Sequence, residues 1–311
     1  MRRVVDIVVV GAGIVGASVA YHAAVAGADV VVLDVSLPAS GVTGASFAWI
    51  GGPGGRDAVD GSTPLRRTAL EDWSRLEREV PGVQVRWSGS LAWGEDALQD
   101  LDALGPDERV VNEAQIREVE PNLRVPSQRA VLKGTDGAVD PIAVTEVLLQ
   151  VARRHGADVR LGVAVKRLRV LGLVRTLVTC PQFEARQSDG CLLVAGEYAG
   201  EVTQGELRRT AEDTARRLAA TFQGGQDARL VDVRVGQRPM PTDGLPIIGP
   251  LPELPGVYVA VTHSGITLGP VTGRLVAAEL VEAVPDEQLM GVRPDRFRRA
   301  NSEAQPSQPS R

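Results

Sequence analysis

The chain opens on an unbroken apolar run, Ile7-Val8-Val9-Val10, between Asp6 and Gly11. β-Branched residues without polar alternation predict a strand buried in a parallel sheet. Three glycines follow at once, at Gly11, Gly13 and Gly16, and a small-residue amphipathic segment continues to Gly27. A second apolar run, Val30 to Leu33, then ends in Asp34. Strand, glycines, helix, strand and acid in this order predict a βαβ unit that holds a dinucleotide. Gly11 permits the tight turn, Gly13 lets the backbone approach a pyrophosphate, and Gly16 lets helix and strand pack closely. The N–H groups at the helix start face the phosphates. Asp34 is placed to accept hydrogen bonds from a ribose diol, which favours a free 2′-hydroxyl and disfavours NADP. The unit alone leaves FAD and NAD open. A membrane helix is the competing reading of Ile7 to Ala28, where His22 is the one strongly polar residue. The density of glycine and alanine, and the second strand behind it, argue against that.

Beyond Asp34 the pattern loosens. Ser36 to Gly55 is rich in Gly, Ala and Ser with Phe47 and Trp49 embedded, which predicts a binding loop over something flat. Ser62 to Val80 predicts a helix capped by Ser62, with Pro64 in its first turn and a stripe of Leu65, Ala69, Trp73 and Leu76. Val83 to Trp87 and Ser90 to Trp93 predict a hairpin around Ser88-Gly89. Asp96 to Leu104 and Glu113 to Glu120 predict short helices, the second capped by Asn112, and Ala130 to Lys133 predicts a strand. Asp140 caps a helix that runs from Pro141 to about His155. Asp158 to Lys166 predicts a strand returning to the first sheet. Leu177 to Cys180 and Cys191 to Ala195 are strand-like, Thr203-x-x-Glu206 is a capping box, and Arg229 to Val235 alternates as a half-exposed strand. Gly236 to Gly249 is dense in Gly and Pro. Val257 to Val261 predicts a strand, His263 to Pro270 a glycine loop, and Val271 to Glu282 a helix. Arg293 to Arg311 is polar and predicts a disordered tail.

Composition narrows the class. The 311 residues, 43% hydrophobic and 23% charged, describe an ordinary globular protein of one large or two ordinary domains. A net charge of -5 supplies no basic surface for nucleic acid. Cys180 and Cys191 form no metal or redox motif, and Met1-Arg2-Arg3 leads into a strand without a signal-peptide pattern. A cytoplasmic location is the expectation, with no membrane span and no metal.

Two stretches together, Asp6 to Asp34 and Arg238-Pro…Asp243-Gly-x-Pro246-x-Ile-Gly249…His263-Ser-Gly265-Ile-Thr-Leu-Gly-Pro270, resemble the FAD-dependent D-amino-acid oxidase family, which includes glycine and sarcosine oxidases. The resemblance selects FAD. It implies an α/β plus α+β fold, a Rossmann-like FAD-binding domain with an interleaved antiparallel-sheet substrate domain. The FAD-binding domain would comprise 1–80, 136–172 and 250–285, the substrate domain 81–135 and 173–249, and 286–311 the tail. Gly11, Gly13, Ile14, Val15, Gly16 and Asp34 would hold the pyrophosphate and adenosine end. Thr43, Gly44, Ala45, Ser46 and Val165 would line the cofactor, and Gly265, Ile266 and Thr267 would meet the flavin. Arg238 would take a substrate carboxylate with two parallel hydrogen bonds, and His263 would tune or orient beside it.

The implied partner is a small amino acid or secondary amine, oxidised by hydride transfer to flavin N5 to give an imine, with oxygen or a carrier as electron acceptor. One departure stands out. The family's meander and its Ala-x-Gly strand are not found after Lys166, which reads as an internal deletion near Val170 to Gly172. The alternative is therefore a degenerate member that binds FAD weakly or not at all and does not turn over.

Overall fold

The computed structural model describes residues 5–54, 60–99, 101–163, 184–188, 191–195, 204–221, 230, 233 and 239–297. In chain order its elements are β1 (Ile7–Val10), α1 (Ile14–Val25), β2 (Val30–Asp34), β3 (Trp49–Ile50), α2 (Thr63–Glu79), β4 (Ser90–Ala92), α3 (Glu95–Leu98), β5 (Glu108–Asn112), α4 (Glu113–Val119), β6 (Arg129–Lys133) and β7 (Gly137–Ala138). There follow α5 (Pro141–Arg154), β8 (Asp158–Leu161), β9 (Glu184–Ser188), β10 (Cys191–Ala195), α6 (Gln204–Thr221), β11 (Ile247–Pro250), β12 (Tyr258–Val261) and α7 (Gly265–Glu282).

The two apolar runs of the N-terminus pair in parallel, and β8 joins them on the far side of β2. Parallel strands need a crossover, and α1 and α5 supply helical ones. α1 lies at the centre of the helical layer, packed on both α7 and α5. One apolar cluster spans these elements and includes Val9, Val30, Val32, Trp73, Leu148 and Leu275. A smaller cluster of Val111, Ile116, Leu123, Ala130 and Leu132 lies against a separate antiparallel sheet of order β4-β6-β5. The fold is thus a Rossmann-like α/β body carrying an antiparallel sheet.

Several local readings match residue for residue. Asn112 and Gln115 form a reciprocal capping box on α4, and Asp140 accepts from the N–H groups of Ile142 and Ala143 at the start of α5. Others are corrected. The expected hairpin between Val83–Trp87 and Ser90–Trp93 does not form. Gly89 adopts φ +72° and donates its N–H to Asp136, so the chain diverges: Arg86 bridges Ala138 while β4 pairs with β6. Ser62 does not cap α2, because its hydroxyl and N–H both go to Asp60. β5, β9 and β11 are strands the pattern did not predict, since each is short, polar or crowded with proline.

Residues 286–292, expected as the start of a tail, are structured instead. Leu289 and Val292 are buried in a 3-10 turn over Glu287–Val292, which Asp286 caps and Gln288 ties to Thr68. Residues 164–183, with the expected strand end at Lys166, the Val170 to Gly172 junction and Cys180, lie outside the described residues.

The largest correction concerns the segment after β12. His263 to Pro270 was expected as a glycine loop before a helix at Val271. Instead α7 begins at Gly265 and carries Pro270 in its interior. Proline has no N–H for the carbonyl four residues back, which here belongs to Ile266. The buried Trp73 of α2 replaces that bond: its Nε1 donates to the carbonyls of Ile266 and Thr267, each at 3.1 Å. The glycines of α7 serve close packing. A Cβ on Gly273 would lie 2.1 Å from Ser18 Oγ and 2.6 Å from the Ser18 carbonyl carbon. A Cβ on Gly269 would stand 3.1 Å from Ile14 Cγ1, a milder contact with a side chain.

Candidate cofactor site

The site is assembled at the N-terminus of α1. Gly11 has φ +105°, a conformation that disfavours any side chain, and turns the chain from β1 into the helix. Gly13 is the N-cap in extended backbone. A Cβ on Gly16 would lie 2.0 Å from the Gly11 carbonyl oxygen, so this position must be glycine for the turn to close. The first N–H groups of a helix have no acceptor within it and point outward.

A second segment covers this turn. The Ala39 N–H donates to the Ala12 carbonyl at 3.0 Å, and the Ile14 N–H donates to Thr43 Oγ1 at 3.2 Å. Gly44 folds back, donating to the Ala39 carbonyl at 2.8 Å, where a Cβ would be only 2.3 Å from that oxygen. Gly41 to Ser46 forms a compact turn: Ala45 donates to Gly41 and Ser46 to Thr43. A Cβ on Gly13 would lie 2.9 Å from Thr43 Oγ1, so glycine here lets the Thr43 loop close onto the helix start.

Asp34, at the end of β2, faces the same turn. Its Oδ2 accepts from the Ala12 N–H at 2.6 Å and its Oδ1 from the Ser36 N–H at 2.8 Å. Each oxygen keeps a second acceptor position for a hydroxyl pair.

The third segment is the first turn of α7. A Cβ on Gly265 would be 3.8 Å from Val15 Cγ2 and 4.0 Å from Ile14 Cγ2. Ile266 is buried, and Thr267 Oγ1 donates to the Trp49 carbonyl at 3.1 Å. His263 precedes this turn, with Nδ1 2.9 Å from Ser264 Oγ, the N-cap residue of α7. The structure therefore brings together Gly11, Gly13, Ile14, Val15, Gly16, Asp34, Thr43, Gly44, Gly265 and Thr267, with Ala45 and Ser46 in the covering turn. Val165 and Arg238 lie outside the described residues.

Three residues at the margin went unassigned by sequence reasoning. Trp49 appeared only as an aromatic in a loop, and Asp136 and Lys133 were not singled out. Asp136 lies 87 positions from Trp49, whose Nε1 donates to its Oδ2 at 3.2 Å. No local signal links residues so far apart. Burial holds the Asp136 carboxyl above its ordinary range, opposed by the Ser90 hydroxyl, the Lys133 ammonium and the Trp49 indole.

The parallel βαβ sheet with a glycine turn, terminal acid and covering loop defines a dinucleotide-binding protein of the Rossmann-like class. The comparisons give the particular family. The family described as FAD dependent oxidoreductase (DAO) matches residues 6–208 and 181–279, and the chain belongs to it. Its cofactor is FAD. A glycine oxidase from Bacillus licheniformis is 23% identical over 89% of this chain and 93% of the relative. The glycine oxidase structure from Bacillus cereus superposes with TM-score 0.76 at 20% identity, covering 93% of this chain and 98% of that one. An L-amino acid deaminase from Proteus vulgaris gives TM-score 0.78 at 18% identity, covering 94% of each chain. The residues present suit the group, since the space at Gly11 is open, where a Cβ would meet nothing within 4 Å, and Asp34 keeps acceptor positions beside the turn. Among the described residues no helix is long and apolar enough to cross a membrane.

Proposed function

We propose that this FAD-dependent oxidoreductase oxidises a small amino acid or secondary amine at its C–N bond. The observation that carries the reading is the meeting of three separate segments at the α1 N-terminus: the glycine turn, the Thr43 loop and the first turn of α7. Gly11, Gly13, Ile14, Val15, Gly16 and Thr43 hold the pyrophosphate, Asp34 holds the adenosine ribose, and Gly44 to Ser46 with Val165 line the middle of the cofactor. Gly265, Ile266 and Thr267 border the flavin. FAD supplies the two-electron acceptor chemistry when bound, while the protein orients the substrate and keeps water out. Arg238 binds the substrate carboxylate through its planar fork, and His263 orients through Ser264. The similarity to glycine oxidases and an amino acid deaminase supports this substrate class.

The test is the visible absorption spectrum of the purified protein after incubation with FAD and desalting. Retained oxidised-flavin bands, bleached anaerobically by one of glycine, sarcosine, proline or a D-amino acid, are expected. A colourless protein that retains no FAD would instead identify a degenerate member. In a turning-over enzyme, Arg238→Leu should raise KM for a carboxylate substrate by about 100-fold, the loss of a charge-assisted bidentate pair. An unchanged KM would remove Arg238 from the site.

A further inference from the structure

Trp49 combines two properties that rarely coincide. Its side chain is 45% exposed, yet it is anchored from three directions. β3 pairs it with Ala138 of β7, its carbonyl accepts from Thr267 Oγ1, and its indole N–H goes to Asp136. Asp136 is itself 1% exposed and accepts a second bond at Oδ2, from Ser90 Oγ at 2.7 Å. Its Oδ1 has no hydrogen-bond partner among the described residues and faces Lys133 Nζ at 3.7 Å. Lys133, also buried, donates instead to the Gly52 carbonyl at 2.7 Å. A Cβ on Gly51 would stand 3.4 Å from Asp136 Oδ1 and 3.3 Å from the Trp49 indole, so glycine there lets carboxylate and ring come together.

A buried carboxylate–ammonium pair separated by 3.7 Å is poor value as a stabiliser, because desolvation offsets most of the attraction. What this pair does achieve is geometric. Asp136 fixes the indole and Lys133 fixes the backbone three residues on, so 49–52 is held as a rigid strip. An exposed aromatic ring held still is a contact surface with little entropy left to lose on binding. The strip touches the first turn of α7 through Thr267, the turn assigned above to the flavin.

Resting on that assignment, we propose that Trp49 forms a fixed wall beside the flavin, and that Asp136 and Lys133 are positioning residues that hold it there. Trp49 contacts the flat ligand. Asp136 acts through the indole and Lys133 through the Gly52 carbonyl.

The test uses the full chain loaded with FAD, in the variants Asp136→Asn, Trp49→Phe and the double substitution. Melting temperature reports folding. Acrylamide quenching, taken as the difference between variants with and without Trp49, reports how firmly the indole is held. FAD affinity and the position of the visible flavin bands report the wall. Asp136→Asn is expected to raise quenching of Trp49, shift the bands and weaken FAD about tenfold, with Trp49→Phe giving a similar band shift and affinity loss and the double variant no worse than either single. Additive losses, or an Asp136→Asn protein with wild-type quenching and bands, would overturn the proposal. If Asp136→Asn does not fold, Ser90→Ala carries the same reading, since it loosens Asp136 by removing one donor. A wild type that retains no FAD defeats the functional reading and the wall together, whereas the quenching result in that same protein still decides the clamp.

Discussion

At the scale of single residues, the cofactor turn is governed by what a Cβ would strike. Gly16→Ala places a methyl 2.0 Å from the Gly11 carbonyl oxygen, and backbone rather than a flexible side chain would have to yield. The variant should lose retained FAD on desalting and lose about 2–4 kcal/mol of stability in denaturant titration. A variant that keeps its flavin bands would show that the turn has slack. Residues of this kind were legible in the sequence because their requirement is local: strand, turn and helix follow one another within thirty positions. Asp34 was legible for the same reason. The Trp49–Asp136 bond was not, because nothing near either residue announces the other. Val165 and Arg238 remain expectations from resemblance, outside the described residues.

Elements show where composition misleads. Glycine and proline around Gly265 to Pro270 read as a loop, since both disfavour helix interiors. The helix forms because tertiary partners reverse that preference. Glycines allow α7 to lie against α1, and Trp73 fills the hydrogen-bonding gap that Pro270 leaves. Trp73→Phe removes the donor and leaves a small cavity in the core, and should destabilise by roughly 2–4 kcal/mol. Adding Pro270→Ala restores a backbone N–H and should recover the hydrogen-bonding part of that loss, while the cavity remains. Equal losses with and without Pro270 would mean that the indole bonds do not compensate for the proline. The expected deletion is also an element-scale question. β10, ending at Ala195 before Gly196, pairs with β9 and not with the parallel sheet of β1, β2 and β8 among the described residues, and the junction near Val170 to Gly172 lies outside them.

For the molecule as a whole, the helical layer is bound by a buried polar network. Asp72 on α2 receives Arg274 of α7 through two bonds of 2.8 Å and Arg75 at 2.6 Å. Burial alone would raise the Asp72 carboxyl, but these guanidinium bonds outweigh it and hold it below its ordinary range. Arg75 also reaches His22 Nε2 at 3.2 Å, while His22 Nδ1 lies 2.8 Å from the Ser18 carbonyl. Arginine can only donate and a carbonyl only accept, so the neutral ring carries its proton on Nδ1. Burial, with the neighbouring guanidinium groups, lowers His22 from 6.5 to about 4.

The unfolded chain therefore binds a proton that the folded one refuses between these two values. Stability should be full above pH 6.5 and fall towards pH 4, by on the order of 2–3 kcal/mol. Asp72 acts with the same sign at lower pH, its contribution vanishing as pH drops through its depressed folded value. Melting temperatures between pH 7.5 and pH 4.5 should fall, and His22→Gln should flatten the upper part of that decline. An identical profile in His22→Gln would assign the loss to other groups.

The seam between α1 and α7 joins positions far apart in time as well as in sequence. Ser18 leaves the ribosome long before Gly273 exists to receive it. Until then α1 has its α7 neighbour missing, and the glycine turn, already covered by the Thr43 loop, lacks the first turn of α7 beside it. The newborn chain must therefore keep its first βαβ unit waiting, with one helix face uncovered, through the synthesis of most of the protein. If the first turn of α7 borders the flavin as proposed, coenzyme capture becomes a late event, completed only in a chain translated past α7. A nascent chain stalled before that point should be unable to take up the coenzyme, however faithfully its opening residues were made.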